Sequence, residues 1–208
     1  MKKEIYPCIW FDGNAEAAAH LYTRAFTETE VMTCTPMVVT FSVKGQQFMG
    51  LNGGPQFQPN PSISFFVHCT SEEELNNAWQ LLSEGGIIRM PLDQYPWADR
   101  YGWVEDRYGV SWQLLTDKNN GQKPKVSPSL LFTGQQNGNA RKAMDFYSSL
   151  FADSSIITVS EYEAGEEEVT GNIKYAELDI AGNHLVFMDS GAPHAFEFNE
   201  GVSLVITC

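Results

Sequence analysis

The feature that most constrains this chain is that it repeats. Tyr6-Pro7-Cys8-Ile9-Trp10-Phe11-Asp12-Gly13 runs into Asn14-Ala15-Glu16-Ala17-Ala18-Ala19-His20-Leu21-Tyr22 and ends at Ala25-Phe26. Much later, Ser127-Pro128-Ser129-Leu130-Leu131-Phe132-Thr133-Gly134 leads, after a few extra residues, into Asn139-Ala140-Arg141-Lys142-Ala143-Met144-Asp145-Phe146-Tyr147 and ends at Leu150-Phe151. The stretch from Phe41 to Asn52 matches Leu178 to Asp189, and Ile63 to Cys69 matches Val202 to Cys208. Recurrence in the same order means that one supersecondary unit is used several times.

Each unit reads as strand, helix, then strands. Ile5 to Phe11 is apolar and bounded by Gly13, as a buried strand is. Asn14 is a good N-cap, and Ala17, Ala18, Leu21, Tyr22, Ala25 and Phe26 recur at helical spacing on one face. Val38 to Val43 and Gln47 to Leu51 flank Lys44-Gly45-Gln46, which signals a hairpin. A related unit starts at Ser62: a strand to Cys69, a cap at Thr70 or Ser71, an acidic first turn Glu72-Glu73-Glu74 whose charge belongs to the surface, a helix through Leu75, Trp79 and Leu82 ended by Gly85-Gly86, then strands near Trp103–Asp106 and Ser111–Leu115.

Length fits this count. At about 150 residues per domain, 208 residues make between one and two domains. Residues 1–118 are expected to form a complete two-module domain, 119–126 a linker, and 127–208 a partial second domain of one module plus one strand. The unpaired third module predicts a homodimer, or docking of that module on the first domain, because apolar strand edges are a liability in water. The abrupt stop suggests that Cys208 is not the natural terminus.

Charge and cysteine content narrow the partners. With 26 acidic and 13 basic residues the net charge is −13, which repels phosphate backbones and anionic lipid, so neither nucleic acid nor a membrane is an expected partner. The short apolar start, Ile5 to Phe11, is no signal peptide core, and four scattered cysteines suggest reduced thiols and a cytoplasmic protein.

Three motifs now carry a resemblance. Trp10-Phe11-Asp12-Gly13-Asn14-Ala15-Glu16, Phe48-Met49-Gly50-Leu51-Asn52-Gly53-Gly54-Pro55 and Tyr101-Gly102-Trp103-Val104-Glu105-Asp106-Arg107-Tyr108-Gly109-Val110-Ser111-Trp112-Gln113-Leu114 resemble the PhnB-like proteins, labelled 3-demethylubiquinone-9 3-methyltransferase domain proteins, of the vicinal oxygen chelate superfamily. The resemblance implies an α+β fold of paired βαβββ modules that form a curled mixed sheet, as in glyoxalases, bleomycin resistance proteins and dioxygenases. It also implies, as alternative activities, a methyltransferase on a demethylubiquinone-like quinone or a metal-dependent isomerase or dioxygenase. A doubly wound methyltransferase would carry a G-x-G turn, and the chain has none.

The ligand positions of metal-using relatives fall on Pro7, on Gly50 or Asn52, on Ser62 and on Gln113. The corresponding places in the partial second unit hold Pro128, Phe187 or Asp189, and Gly201. These are poor donors for a transition metal, so no metal and no cofactor are expected. The expected function is metal-free binding of a small organic molecule. Strand alternation proposes a cavity lined by Phe11, Phe48, Asn52, Ser62, Ser64, Phe66, Trp103, Ser111 and Gln113, with Trp97 in a loop that closes over it. The same aromatics could instead fill a small barrel, and the sequence identifies no catalytic residue.

Overall fold

The computed structural model describes residues 5–116 and 126–207, so most of the expected linker and Cys208 lie outside the described residues. The first module is β1 (Ile5–Phe11), α1 (Ala15–Ala25), β2 (Glu30–Cys34), β3 (Val38–Val43) and β4 (Gln46–Asn52). The second is β5 (Ile63–Cys69), α2 (Glu72–Ser83), β6 (Ile87–Tyr95), β7 (Ala98–Glu105) and β8 (Ser111–Thr116). The third is β9 (Val126–Phe132), α3 (Ala140–Leu150), β10 (Ser154–Glu161), β11 (Ile173–Ile180) and β12 (Asn183–Asp189), and β13 (Val202–Ile206) is the opening strand of a fourth. The fold is α+β, built from βαβββ modules in mixed, unclosed sheets.

Which modules join is not what chain order suggests. A five-stranded sheet runs β13-β1-β4-β3-β2, and an eight-stranded sheet runs β10-β11-β12-β9-β5-β8-β7-β6. Module two therefore pairs with module three through antiparallel β5 and β9, in the register Ser64↔Ser129. Module one receives β13, with Ile5 opposite Ile206. The expected boundary near residue 118 thus falls inside the larger sheet. Strand β13 covers the edge of β1 and is itself the outer strand of the small sheet.

The two sheets face each other across one apolar core, with α1 packed on α2 beside them. Phe48 from the small sheet meets Phe65 of the large one at a ring distance of 5.0 Å, and Trp112 packs against Tyr22, Phe26 and Phe65. A second core gathers Leu130, Phe132, Met144, Ile173 and Phe187 under α3. Lys44 and Gly45, both at positive φ, make the two-residue turn between β3 and β4 that matches strand twist.

Three local expectations change. Asn14 makes no side-chain cap on α1; the Ala15 N–H is instead taken by Asn52 Oδ1 at 3.0 Å. Module three repeats the device, since Asp189 Oδ1 accepts from Ala140 N–H at 3.1 Å. Glu74, read as part of a solvated acidic turn, is buried and bonds Lys44 Nζ at 2.6 Å. The segment from Tyr95 to Trp103, read as a loop, is the turn and second strand of the β6–β7 hairpin.

Candidate functional site

The large sheet has two unlike faces. Phe65, Val67, Trp112, Leu114, Leu130 and Phe132 point toward the helices and fill the cores. Their neighbours in sequence point the other way, as pleating requires. That second face carries Ser64 and Phe66 on β5, Ser111 and Gln113 on β8, Tyr101 and Trp103 on β7, Ser127 and Ser129 on β9, Val186 and Met188 on β12, and Tyr175 and Glu177 on β11. Arg89 on the β6 edge lies over the Phe196 ring, 5.8 Å away, in the segment after β12. The β6 edge therefore approaches the segment after β12, and Phe66 on β5 reaches Tyr175 on β11 across two intervening strands, so the face is concave.

Its floor is polar and buried. Tyr101 donates its hydroxyl to Gln113 Oε1 at 2.5 Å, and Gln113 Nε2 donates to Ser64 Oγ at 2.7 Å. Trp103 Nε1 donates to Ser111 Oγ at 2.7 Å, and the Tyr175 hydroxyl donates to Glu177 Oε1 at 2.5 Å. Ser64, Ser111, Gln113 and Ser129 are each at most 2% exposed. Above them Phe66 contacts Tyr101 and Tyr175, with ring centroids 6.4 and 6.1 Å apart. Burial pushes the Tyr101 and Tyr175 phenols well above their usual range, so both are neutral donors.

The expected cavity residues separate into two groups. Ser62, Ser64, Phe66, Trp103, Ser111 and Gln113 fall on the helix-free face of module two, Ser62 at its margin with its hydroxyl on Asn60 Oδ1. Trp97 stands exposed at the hairpin tip, stacked on Tyr95 and edge-on to Tyr101. Phe11 and Phe48 are not with them. Both lie on the opposite, helix-facing side of the small sheet and are buried in the main core. Asn52 serves α1 as described and donates to the Pro36 carbonyl at 2.9 Å. The physical reason is parity: alternation gives two faces per strand, and on β1 and β4 the helix takes the one holding Phe11 and Phe48.

Module three supplies what module one was expected to supply. Ser127, Ser129, Tyr175, Glu177, Val186 and Met188 were missed because β9 joins β5. The readable signal was Ser127-Pro128-Ser129, two small polar residues alternating with buried neighbours in a strand that repeats β1.

A divalent metal does not fit this floor. Its donors are hydroxyls and a carboxamide already committed to one another, and among the described residues no three His, Cys, Asp or Glu side chains come together. A separate cleft of about 600 Å³ lies between the end of α1 and the start of α2, lined by Thr23, Phe26, Thr27, Ser71 and Glu74. Its one buried carboxylate is satisfied by Lys44, Thr27 and Thr70.

Comparison with known proteins agrees with this architecture. The PhnB protein of Bacillus cereus is 33% identical over 54% of this chain and 98% of its own, with a TM-score of 0.50. Glyoxalase I of Zea mays aligns over 98% of this chain and 75% of its own with a TM-score of 0.65; at 12% identity it shows the fold alone. No curated protein matches the chain. The family model described as 3-demethylubiquinone-9 3-methyltransferase matches residues 3–115 and 124–208. With nearly its whole length covered, the chain belongs to this PhnB-like family of the vicinal oxygen chelate superfamily.

Proposed function

We propose that the concave face of the eight-stranded sheet binds a small, neutral, partly aromatic organic molecule without a metal. The observation that carries this reading is the buried relay from Tyr101 through Gln113 to Ser64 beneath Phe66 and Tyr175. Buried polar groups under an aromatic cover are a poor way to fill a core, and a good way to orient a ligand whose body stacks on rings. With Phe66 in contact with Tyr101 and Tyr175, entry requires one of these rings to turn aside. Native mass spectrometry of gently purified protein tests the reading: a co-purifying compound lost from Gln113→Leu supports it. If no compound is retained and aromatic fragments leave the Val186 and Met188 methyl resonances unmoved, the reading is wrong.

We also infer a homodimer in a reducing, cytoplasmic setting. Helix α3 aligns with α1, yet Phe146 is 59% and Leu150 55% exposed where their counterparts Leu21 and Ala25 are 5% and 1%. The α1 face is covered by module two, and a second chain would cover α3 in the same sense. The free thiols of Cys8, Cys34 and Cys69 support the compartment. Among the described residues, no helix is long and apolar enough to cross a membrane.

A further inference from the structure

The seam between modules two and three is nearly symmetric, and its asymmetry is chemical. Ser64 and Ser129 lie opposite each other on β5 and β9, which puts both side chains on the concave face with Cβ atoms about 5 Å apart. Gln113 stands in register with Phe66 on β8, and Met188 stands in register with Leu131 on β12. These are equivalent places. Ser64 has an amide partner from Gln113, whereas Ser129 faces a thioether. The consequence is visible: Ser129 is fully buried and its Oγ has no hydrogen-bond partner.

We propose that Ser64 and Ser129 together hold the acceptor oxygen of a neutral carbonyl compound. The proposal rests on reading this face as a binding site. Proton inventory gives the ligand's sense. The Tyr101 hydroxyl donates into Gln113 and Gln113 donates into Ser64, so Ser64 keeps its own proton to give away. Ser129 has its proton uncommitted. Two hydroxyl donors side by side suit one oxygen with two lone pairs. A buried hydroxyl left alone destabilises the folded protein, and a ligand carbonyl removes that penalty. An anion is disfavoured, because Glu177, 6% exposed, shares the face, and Arg89, the cation at its β6 edge, is already paired with Glu105. The carbonyl's substituents then rest on Phe66, Tyr175, Val186 and Met188.

The test pairs two probes of one shape, acetophenone and α-methylstyrene, which differ by a carbonyl oxygen replaced with a methylene. Titration of each is followed by the Met188 and Val186 methyl resonances. The wild-type protein is expected to prefer acetophenone by about fivefold, the worth of an ordinary hydrogen bond. Ser129→Ala removes the donor and should bring the preference below about twofold. Ser129→Ala should also leave thermal stability unchanged or raised, since it deletes an unsatisfied buried group, so lost preference is separable from misfolding. Equal binding of the two probes by wild type overturns this inference and leaves the binding face standing. A preference that survives Ser129→Ala overturns it as well, and no shift with either probe defeats the binding face and the inference together.

Discussion

The Tyr22 hydroxyl donates to Asp106 Oδ2 at 2.9 Å, tying helix α1 of the first module to the β7–β8 turn of the second. The same carboxylate accepts from Trp112 Nε1 and from the Tyr108 and Val110 N–H groups. One buried side chain thus shapes a turn, fixes the largest core ring and joins two modules. Burial raises its pKa to about 6, against the pull of those donors. An acid whose pKa is raised by folding stabilises the protein fully below its unfolded value, and that contribution is lost as pH rises through the folded value. Thermal midpoints should therefore fall between about pH 4 and pH 6 in wild type. Asp106→Asn should remove that slope, while costing about 1–3 kcal/mol at every pH because its NH₂ faces donors.

Glu74 works in the opposite direction. Burial alone would raise its carboxyl pKa, but hydrogen bonds from Lys44, Thr27 and Thr70 outweigh it and hold the group at about 2. A depressed carboxylate stabilises above its unfolded pKa, and the contribution disappears as pH falls from about 4.5 toward 2. Stability should thus decline on that acid limb, and Glu74→Gln should flatten it in pH-dependent calorimetry. Lys44→Met strands a buried charge and should cost about 3–5 kcal/mol, much more than the double change Lys44→Met with Glu74→Leu.

The shared cap position offers a graded pair of variants. Asp189 accepts from the N–H groups of Gly138, Ala140 and Ile173. Asp189→Ala leaves all three without an acceptor in a buried place and should cost about 3 kcal/mol or more in urea unfolding. Asn52→Ala should cost about 1 kcal/mol, as loss of an ordinary cap does.

The exposed face of α3 makes the association reading checkable. Phe146→Glu with Leu150→Glu should give a monomer by light scattering at concentrations where wild type is dimeric, with the unfolding midpoint of the isolated chain little changed. Identical masses for both proteins would leave the α3 interface without support.

Much of the fold was legible because the repeat carries it. Matching Tyr6–Phe26 to Ser127–Phe151 placed two strands and two helices, and the Lys44-Gly45 turn placed a hairpin. Partner choice between modules was not legible, since β1, β5, β9 and β13 all present apolar opening strands and only register and packing decide which pairs form. The choice of face on β1 and β4 left a trace that was passed over. A Cβ on Gly50 would sit 2.9 Å from Ala15 Cβ, so the strand needs glycine where the helix presses closest, and Phe48 must share that side. The Glu74 burial had no local signature: Glu72, Glu73 and Glu74 read alike, and only Lys44, 30 residues away in sequence, distinguishes the third.

The pairing of β13 with β1 also sets an order of events. Ile5 and Ile206, about 200 residues apart in sequence, must meet before the small sheet has both of its edges defined. Modules two and three can join as soon as β12 has left the ribosome, but β1 waits for β13, the farthest from it in sequence of the described strands, and closing so long a loop is slow relative to local pairing. During that interval the β1 edge, with Pro7 unable to donate, is poorly suited to recruiting a stray strand in place of β13.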